Sequence, residues 1–84
     1  MHDQAELLYT TYAAGSGASP GAGRILRACH RGSGAIRMDD LFRLGPRRRE
    51  AALALIVTTI RHGADGIPLS EDRIDEIFRD DTLV

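Results

Sequence analysis

Apolar residues recur along this chain at helical spacing, in segments separated by short breaks rich in glycine, proline and serine. Residues three, four and seven positions apart share one face of an α-helix, so each segment predicts an amphipathic helix with one buried stripe. The 84 residues are enough for one modest core. We therefore predict an all-α fold in a single domain over residues 1–84, a small orthogonal bundle of about four helices around a central long helix.

Four segments carry such a stripe, and a brief turn lies between the second and the third. The predicted stripes are Ala5, Leu8, Tyr9 and Tyr12; Ala22, Ile25, Leu26 and Cys29; Ala52, Leu53, Ile56, Val57 and Ile60; and Ile74, Ile77 and Phe78. The brief turn carries Leu41, Phe42 and Leu44.

Capping residues predict where the helices begin and end. Side-chain oxygens accept hydrogen bonds from the free N–H groups at a helix start, and proline suits the first turn, where its missing N–H is not needed. Glycine favours the backbone conformation that ends a helix. The predicted starts are Asp3, Ser19 before Pro20, Asp39 or Asp40, Pro46 after Gly45, and Ser70; the predicted ends are the break at 14–18, Gly32–Gly34 and Gly63. We also expect a turn at Asp65–Gly66 and a frayed tail over residues 80–84.

The segment from Arg47 to His62 is the longest and the most apolar. A stripe this broad predicts contacts with neighbours on two sides, which favours a central position for this helix. Leu55 falls outside the stripe. It is therefore a candidate contact in a homodimer, in which the basic middle of one copy meets the acidic end of another.

Residues that commonly carry catalysis or bind metals are few and scattered. The three histidines have no companion at metal-ligand spacing, and Cys29 lies on an apolar stripe, where a thiol is usually structural. The paired acidic residues are explained by helix capping or by solvated helix faces. We therefore predict no enzymatic activity, no catalytic residue, no cofactor and no metal.

The sequence also lacks a membrane-spanning segment, a signal peptide and the cysteine pairs typical of small proteins in oxidising compartments. The longest apolar run, Ala51–Val57, is far shorter than the ~20 residues of a membrane span. The first six residues lack the basic-then-apolar order of a signal peptide, and a single cysteine allows no intrachain disulfide. We expect a cytoplasmic protein that does not contact membranes.

Charge is segregated along a chain whose net charge is only −1. The segment from Arg24 to Arg49 contains eight arginines and two aspartates, a net charge of +6, whereas residues 50–84 contain three arginines and eight acids, a net charge of −5. The candidate partner-binding residues are arginines of the basic segment: Arg24, Arg27, Arg31, Arg47, Arg48 and Arg49. A secondary acidic surface is predicted on the last helix at Asp72, Asp75, Glu76 and Asp80, although a solvated helix face is the simpler interpretation.

The triplet Arg47–Arg49 has a placement that local stability does not favour. Cations in the first turn of a helix oppose the helix dipole, at a cost of about 0.3–1 kcal/mol each when exposed. One interpretation is a site for phosphate, nucleic acid or an acidic protein surface. The other is that the triplet pairs with acids of the same chain, namely Asp39, Asp40 or those of the last helix.

The order of these features is similar to that of a known family. The matching residues are Leu7–Leu8, Ile25–Leu26, Gly32–Gly34, Asp40–Leu41 with Leu44, Ala52–Leu53 with Ile56, and Ile74–Phe78. Over most of its length the chain resembles small uncharacterised helical proteins encoded in bacterial mobile elements and prophages. The resemblance implies a helical fold and a mobile-element setting, and it implies no activity.

Two functions follow as hypotheses. In the first, the chain is a non-enzymatic accessory protein of a phage or mobile element that binds a protein complex of the host or element through its segregated charge. Inhibition of a host defence complex, as by anti-CRISPR proteins, is its most specific form. In the second, the chain is a small nucleic-acid-binding regulator that uses the arginine-rich middle. The acidic C-terminal end and the scarcity of aromatic residues for base stacking argue against the second hypothesis.

Overall fold

A computed structural model describes the backbone of residues 2–63 and 67–82 and the side chains of residues 3–63 and 67–79. These residues form five helices and no strand, so the predicted all-α class is confirmed. The helices are α1 His2–Ala13, α2 Ser19–Arg31, α3 Met38–Phe42, α4 Pro46–His62 and α5 Glu71–Thr82. The brief turn predicted between the second and third stripes is the short helix α3.

The core lies where α1, α2 and α4 meet, and α2 contacts each of the other four helices. The predicted stripe of α2 is confirmed, because Ala22, Ile25 and Leu26 are fully buried and Cys29 is nearly so. The buried core residues of the described chain are Leu8, Ile25, Leu26, Cys29, Leu44, Ala52, Leu55, Ile67 and Ile77. The aromatic residues of α1 and α5 pack against this core from its edge.

The sequence prediction is partly wrong about the buried face of α4: Ala52 is fully buried and Ile56 packs against the core as predicted, but the rest of the predicted stripe is exposed. Leu55, which was expected outside the stripe, is fully buried, whereas Leu53, Val57 and Ile60 are 39%, 43% and 78% exposed. Besides Leu55, the buried residues of α4 are Ala51 and Ala52. Small side chains let two helices approach closely, so α4 packs with its alanine-containing face inward and turns the larger stripe outward. Leu55 is consequently not available for contact with a second copy.

Ser19 does not cap α2, although proline does occupy the first turn as predicted. The Ser19 hydroxyl donates to the carbonyl of Thr11 at 2.8 Å and accepts from the N–H of Ser16 at 2.8 Å. It is buried, and it therefore ties the loop between α1 and α2 to the end of α1.

The predicted acidic caps also lie inside helices. α1 begins at His2, so Asp3 lies in its first turn, and Asp39 and Asp40 lie in the first turn of α3. Asp40 nevertheless accepts a hydrogen bond from the N–H of Arg37, the residue before α3, at 3.1 Å. The predicted cap of α5 agrees better with the structure, since the N–H of Arg73 donates to the Ser70 hydroxyl at 3.4 Å.

The ends of the helices are partly as predicted. Gly32 ends α2 in the left-handed conformation, and Gly63 follows α4 with a φ of 82° but an extended ψ. α5 continues to Thr82 and so includes residues 80–82 of the segment that was predicted to fray. The predicted turn at Asp65–Gly66 and residues 83–84 lie outside the described residues.

A close approach between α2 and α3 occurs at Gly21. A Cβ atom at this position would lie 3.0 Å from Cβ and 3.1 Å from Cα of Asp40. A contact this short would force α3 to shift by a few tenths of an ångström, so glycine lets α3 lie this close to α2. The carboxylate of Asp40 is thereby placed next to α2, one turn from Arg24.

Candidate partner-binding surface

Arg24 is bound to a carboxylate of its own chain. Its Nε donates to Oδ2 of Asp40 at 2.8 Å and its Nη2 donates to Oδ1 at 2.5 Å, which makes a two-point contact. The Asp40 side chain is 1% exposed and that of Arg24 is 35% exposed. The hydrogen bonds from Arg24 hold the pKa of Asp40 below its ordinary value, so the pair is ionised at neutral pH. Arg24 therefore links α2 to α3.

Arg27 and Arg31 point toward α5. The Nη1 atom of Arg27 donates to the carbonyl of Ile77 at 2.9 Å, and the guanidinium carbon of Arg31 lies 4.5 Å from the centre of the Phe78 ring. Together with Arg24, these residues line a small cavity of about 130 Å³. The structure thus brings together the three candidate arginines of α2, each with a contact inside the protein.

Arg49 stabilises the end of α3. Its Nε donates to the carbonyl of Leu41 at 3.1 Å, and its Nη2 donates to the carbonyls of Phe42 at 3.1 Å and Leu44 at 3.2 Å. Carbonyls at a helix C-terminus have no partner within the helix and carry partial negative charge. Neither predicted interpretation of the triplet anticipated this role, because the acceptors of Arg49 are backbone carbonyls rather than acids or an external ligand.

Arg47 and Arg48 differ from Arg49 in their surroundings. Both are exposed, and neither has a hydrogen-bond or ionic partner within the described ranges. Arg47 lies beside a groove of about 440 Å³ between α1 and α4. Arg48 and Arg43 line a second groove, of about 370 Å³, between the end of α1 and the turn that precedes α4. Arg47 and Arg48 therefore remain exposed in the first turn of α4, where the helix dipole disfavours positive charge.

No family model, characterised protein or solved structure matches this chain. The assignment to a mobile-element family therefore stays a prediction from the order of sequence features.

The predicted acidic surface on α5 is divided between two environments. Asp72 and Asp75 are exposed. Glu76 is half-buried and accepts a hydrogen bond from the hydroxyl of Tyr9 at 2.5 Å, which raises the pKa of Tyr9 above its ordinary value. The side chain of Asp80 lies outside the described residues. Glu76 therefore belongs to the contact between α1 and α5.

Two groups with catalytic or metal-binding chemistry, Cys29 and His30, are used in packing. Cys29 is 4% exposed, and burial raises the pKa of its thiol, so the unreactive protonated form is favoured. The Nδ1 atom of His30 accepts from the N–H of Ile67 at 3.3 Å. The part of the chain that the structure describes contains no group of three His, Cys, Asp or Glu side chains placed to hold a metal ion. Among its helices, none has the length and apolar character needed to cross a membrane.

The structure also reveals an exposed apolar face that the sequence prediction placed in the core. It consists of Leu53, Val57 and Ile60 on α4. The signal that could have identified it is a second set of apolar residues on the same helix, Ala51 and Leu55, which lie on the other side of Ala52 from Leu53. Periodicity alone does not show which of the two sets is buried. The set with smaller side chains is the better candidate, because small residues let helices pack closely.

Proposed function

We propose that this protein is a non-enzymatic binding protein that contacts an acidic surface of a larger macromolecular partner through Arg47 and Arg48. One observation carries the proposal: three backbone carbonyls bind Arg49, whereas its two neighbours are exposed without a partner in the described structure. Because the start of α4 repels positive charge, an external negative group near these side chains lowers the electrostatic energy of the protein.

A protein partner is better supported than nucleic acid. Arg24 and Arg27 donate to groups of their own chain, which reduces the number of arginines that can contact phosphates. Binding to nucleic acid generally depends on many phosphate contacts at once. Two arginines beside concave surfaces are better suited to a few carboxylates of a protein surface.

We propose further that the partner is a protein complex of the host or of a mobile element. This step rests on the resemblance to mobile-element proteins and on the lack of catalytic chemistry in the sequence. Inhibition of a host defence complex is the most specific form of the proposal.

The test compares two double variants that remove the same charge. Arg47→Gln/Arg48→Gln removes the proposed contacts, and Arg37→Gln/Arg79→Gln removes two exposed arginines that line neither groove. The parent and both variants are tagged and used to capture proteins from the native host. Each captured complex is identified and quantified by mass spectrometry, and the folding of each variant is checked by thermal melting.

We expect the first variant to capture about ten-fold less of the partner, which corresponds to roughly 1.4 kcal/mol of binding energy. The second variant should capture as much as the parent. Equal capture by the two variants would contradict the role of Arg47 and Arg48. Binding of the parent to random duplex DNA, with an affinity that falls steeply with salt, would instead support the nucleic-acid hypothesis.

A further inference from the structure

One face of α4 presents large apolar side chains to solvent. Leu53, Val57 and Ile60 follow each other at steps of four and three residues, which aligns them along one side of the helix. Beside Ile60, a groove of about 160 Å³ that is also lined by Ile36 and Ile56 extends this apolar surface toward α2. Contiguous apolar surface that remains exposed on a small domain commonly marks an interaction site.

Two charged residues lie on one flank of this apolar stripe. At about 100° per residue, Glu50 and Arg61 lie about 60° and 80° around the helix from Leu53, on the same side. Both are exposed, and neither forms an ion pair or hydrogen bond with any residue that the structure describes. The acid lies near one end of the stripe and the base near the other. In an antiparallel pair of such helices, the acid of each copy therefore lies close to the base of the other.

We infer that a second copy of this chain covers the stripe, with the two α4 helices packed antiparallel across a two-fold axis near Val57. In a two-fold interface, each residue pair occurs twice, related by the axis. At about 1.5 Å per residue, Leu53 lies about 6 Å before Val57 and Ile60 lies about 4.5 Å after it. Leu53 therefore opposes Ile60 of the second copy, and Val57 opposes Val57.

The charges favour this direction over the parallel one. A two-fold rotation brings each flank of the stripe against the same flank of the second copy. Glu50 then lies about 10.5 Å from the axis and Arg61 of the second copy about 6 Å from it on the same side, a distance that the long arginine side chain spans. In a parallel two-fold pair, the two copies of Glu50 would lie at the same height but on opposite flanks of the stripe, and Glu50 would be about 16 Å along the axis from Arg61, so no pair of opposite charges would form.

The dimer does not depend on the proposed contact of Arg47 and Arg48 with an acidic partner. Arg47 and Arg48 lie about 120° and 140° around α4 from Leu53, on opposite sides of the stripe, so neither belongs to the apolar contact. Arg47 lines a groove together with Glu50, and sedimentation of the arginine variants therefore checks that they still form the dimer. Loss of partner capture in the arginine variants and loss of dimerisation are therefore separate results.

The first measurement is the mass of the protein in solution. Sedimentation equilibrium of the parent should give about twice the 9.1 kDa of one chain. Val57→Glu, which places two carboxylates at the axis, should give single chains. Ala13→Glu introduces the same charge at an exposed position of α1 and should leave the dimer intact. A parent that keeps the mass of one chain up to about 1 mM would overturn the inference.

A charge exchange tests the direction of the helices. Glu50→Arg and Arg61→Glu each place like charges opposite each other, and each should weaken dimerisation about ten-fold. The double variant Glu50→Arg/Arg61→Glu restores opposite charges and should associate as the parent does. Failure of the double variant to recover, with a melting temperature equal to that of the parent, would overturn the antiparallel arrangement.

Cross-linking provides an independent test of the axis. After oxidation, Val57→Cys should form a disulfide-linked dimer with itself, whereas Leu53→Cys and Ile60→Cys should cross-link with each other in a mixture. Cys29 lines the same groove as Ile60, so all three variants also carry Cys29→Ala. Self-cross-linking of the Leu53 and Ile60 variants, without cross-linking between them, would indicate parallel helices and overturn the inference.

Discussion

At individual residues, the arginines of the basic segment differ mainly in the groups that accept their hydrogen bonds. Arg24 binds a buried carboxylate, Arg27 binds a carbonyl of α5, and Arg49 binds carbonyls at the end of α3. The Arg24 contact depends on Gly21, because a side chain there would push Asp40 away from α2. A local run of positive charge thus contains both structural and solvent-facing cations.

Asp40→Asn tests the contribution of the Arg24–Asp40 pair. We expect a loss of about 2–3 kcal/mol in the free energy of unfolding at neutral pH, less than for a fully buried pair because Arg24 is 35% exposed. The hydrogen bonds from Arg24 lower the pKa of Asp40 in the folded state below its ordinary value of 3.8. The ionised pair therefore stabilises the protein fully above that value, and its contribution is lost as the pH falls below it.

Urea unfolding of parent and variant measures this effect at neutral pH and again in acid. The stability difference between the two proteins should shrink as the pH falls below the ordinary pKa of aspartate. A difference that stays constant would show that the carboxylate charge does not contribute.

Among the helices, α3 depends most on its neighbours. A helix of five residues is too short to be stable alone. Asp40 binds the N–H that precedes α3, and Arg49 binds the carbonyls at and after its end. The first turn of α4 therefore supplies the positive charge that the end of α3 lacks, which accounts for one of the three unfavourably placed arginines.

Arg49→Gln and Arg47→Gln separate the two roles within the triplet. Arg49→Gln should lower stability by about 1–3 kcal/mol, because it leaves carbonyls at the end of α3 without their charged donor. This corresponds to a decrease of several degrees in melting temperature for a domain of this size. Arg47→Gln should leave the melting temperature unchanged or slightly higher, because it removes a cation from a helix start. Equal melting of the two variants, measured by circular dichroism, would contradict the capping role of Arg49.

Across the protein as a whole, contacts distant in sequence hold the last helix in place. Arg73 forms an ion pair with Glu6, and its guanidinium carbon lies 4.5 Å from the centre of the Tyr9 ring. Tyr9 in turn donates to Glu76. The fully buried Ile77 joins these surface contacts to the core. α5 therefore closes the domain against α1 and α2.

Ile77→Ala measures how much this closure contributes. We expect a loss of about 2–5 kcal/mol in the free energy of unfolding, since the change leaves a cavity in the core. Domains of this length are stable by only about 4–13 kcal/mol, so much of the stability would be lost. Ile74→Ala removes the same atoms from a half-buried position of the same helix and should lose clearly less. Similar losses in urea unfolding would show that α5 is not anchored through Ile77.

The proposed dimer also has a consequence for partner binding. In antiparallel α4 helices, the two copies of Arg47 and Arg48 lie at opposite ends of the interface, about 28 Å apart along the helix axis. Two basic sites on one particle bind a repeated acidic surface more tightly than one site does, provided that the spacing matches. Repeated subunits of a large complex would meet this condition.

Local signals in the sequence were sufficient to locate the helices, although several predicted caps, such as Asp3 and Ser19, do not cap them. Local signals were sufficient, for example, for the apolar stripe of α2, for Pro20 in its first turn and for Gly32 at its end. Each of these signals depends on one or two turns of backbone and not on residues distant in sequence. The charge segregation along the sequence likewise identified all six candidate arginines. It did not distinguish them, because Arg24 meets its acceptor 16 residues away and Arg27 meets its acceptor 50 residues away.

The buried face of α4 required packing in three dimensions. Its two stripes are both apolar, and hydrophobicity favours the one with Leu53, Val57 and Ile60. The structure instead buries Ala51, Ala52 and Leu55, on the face of α4 that packs against α1 and α2. Shape complementarity between helices, which no single segment encodes, therefore set the orientation of α4 and left its larger apolar side chains on the surface.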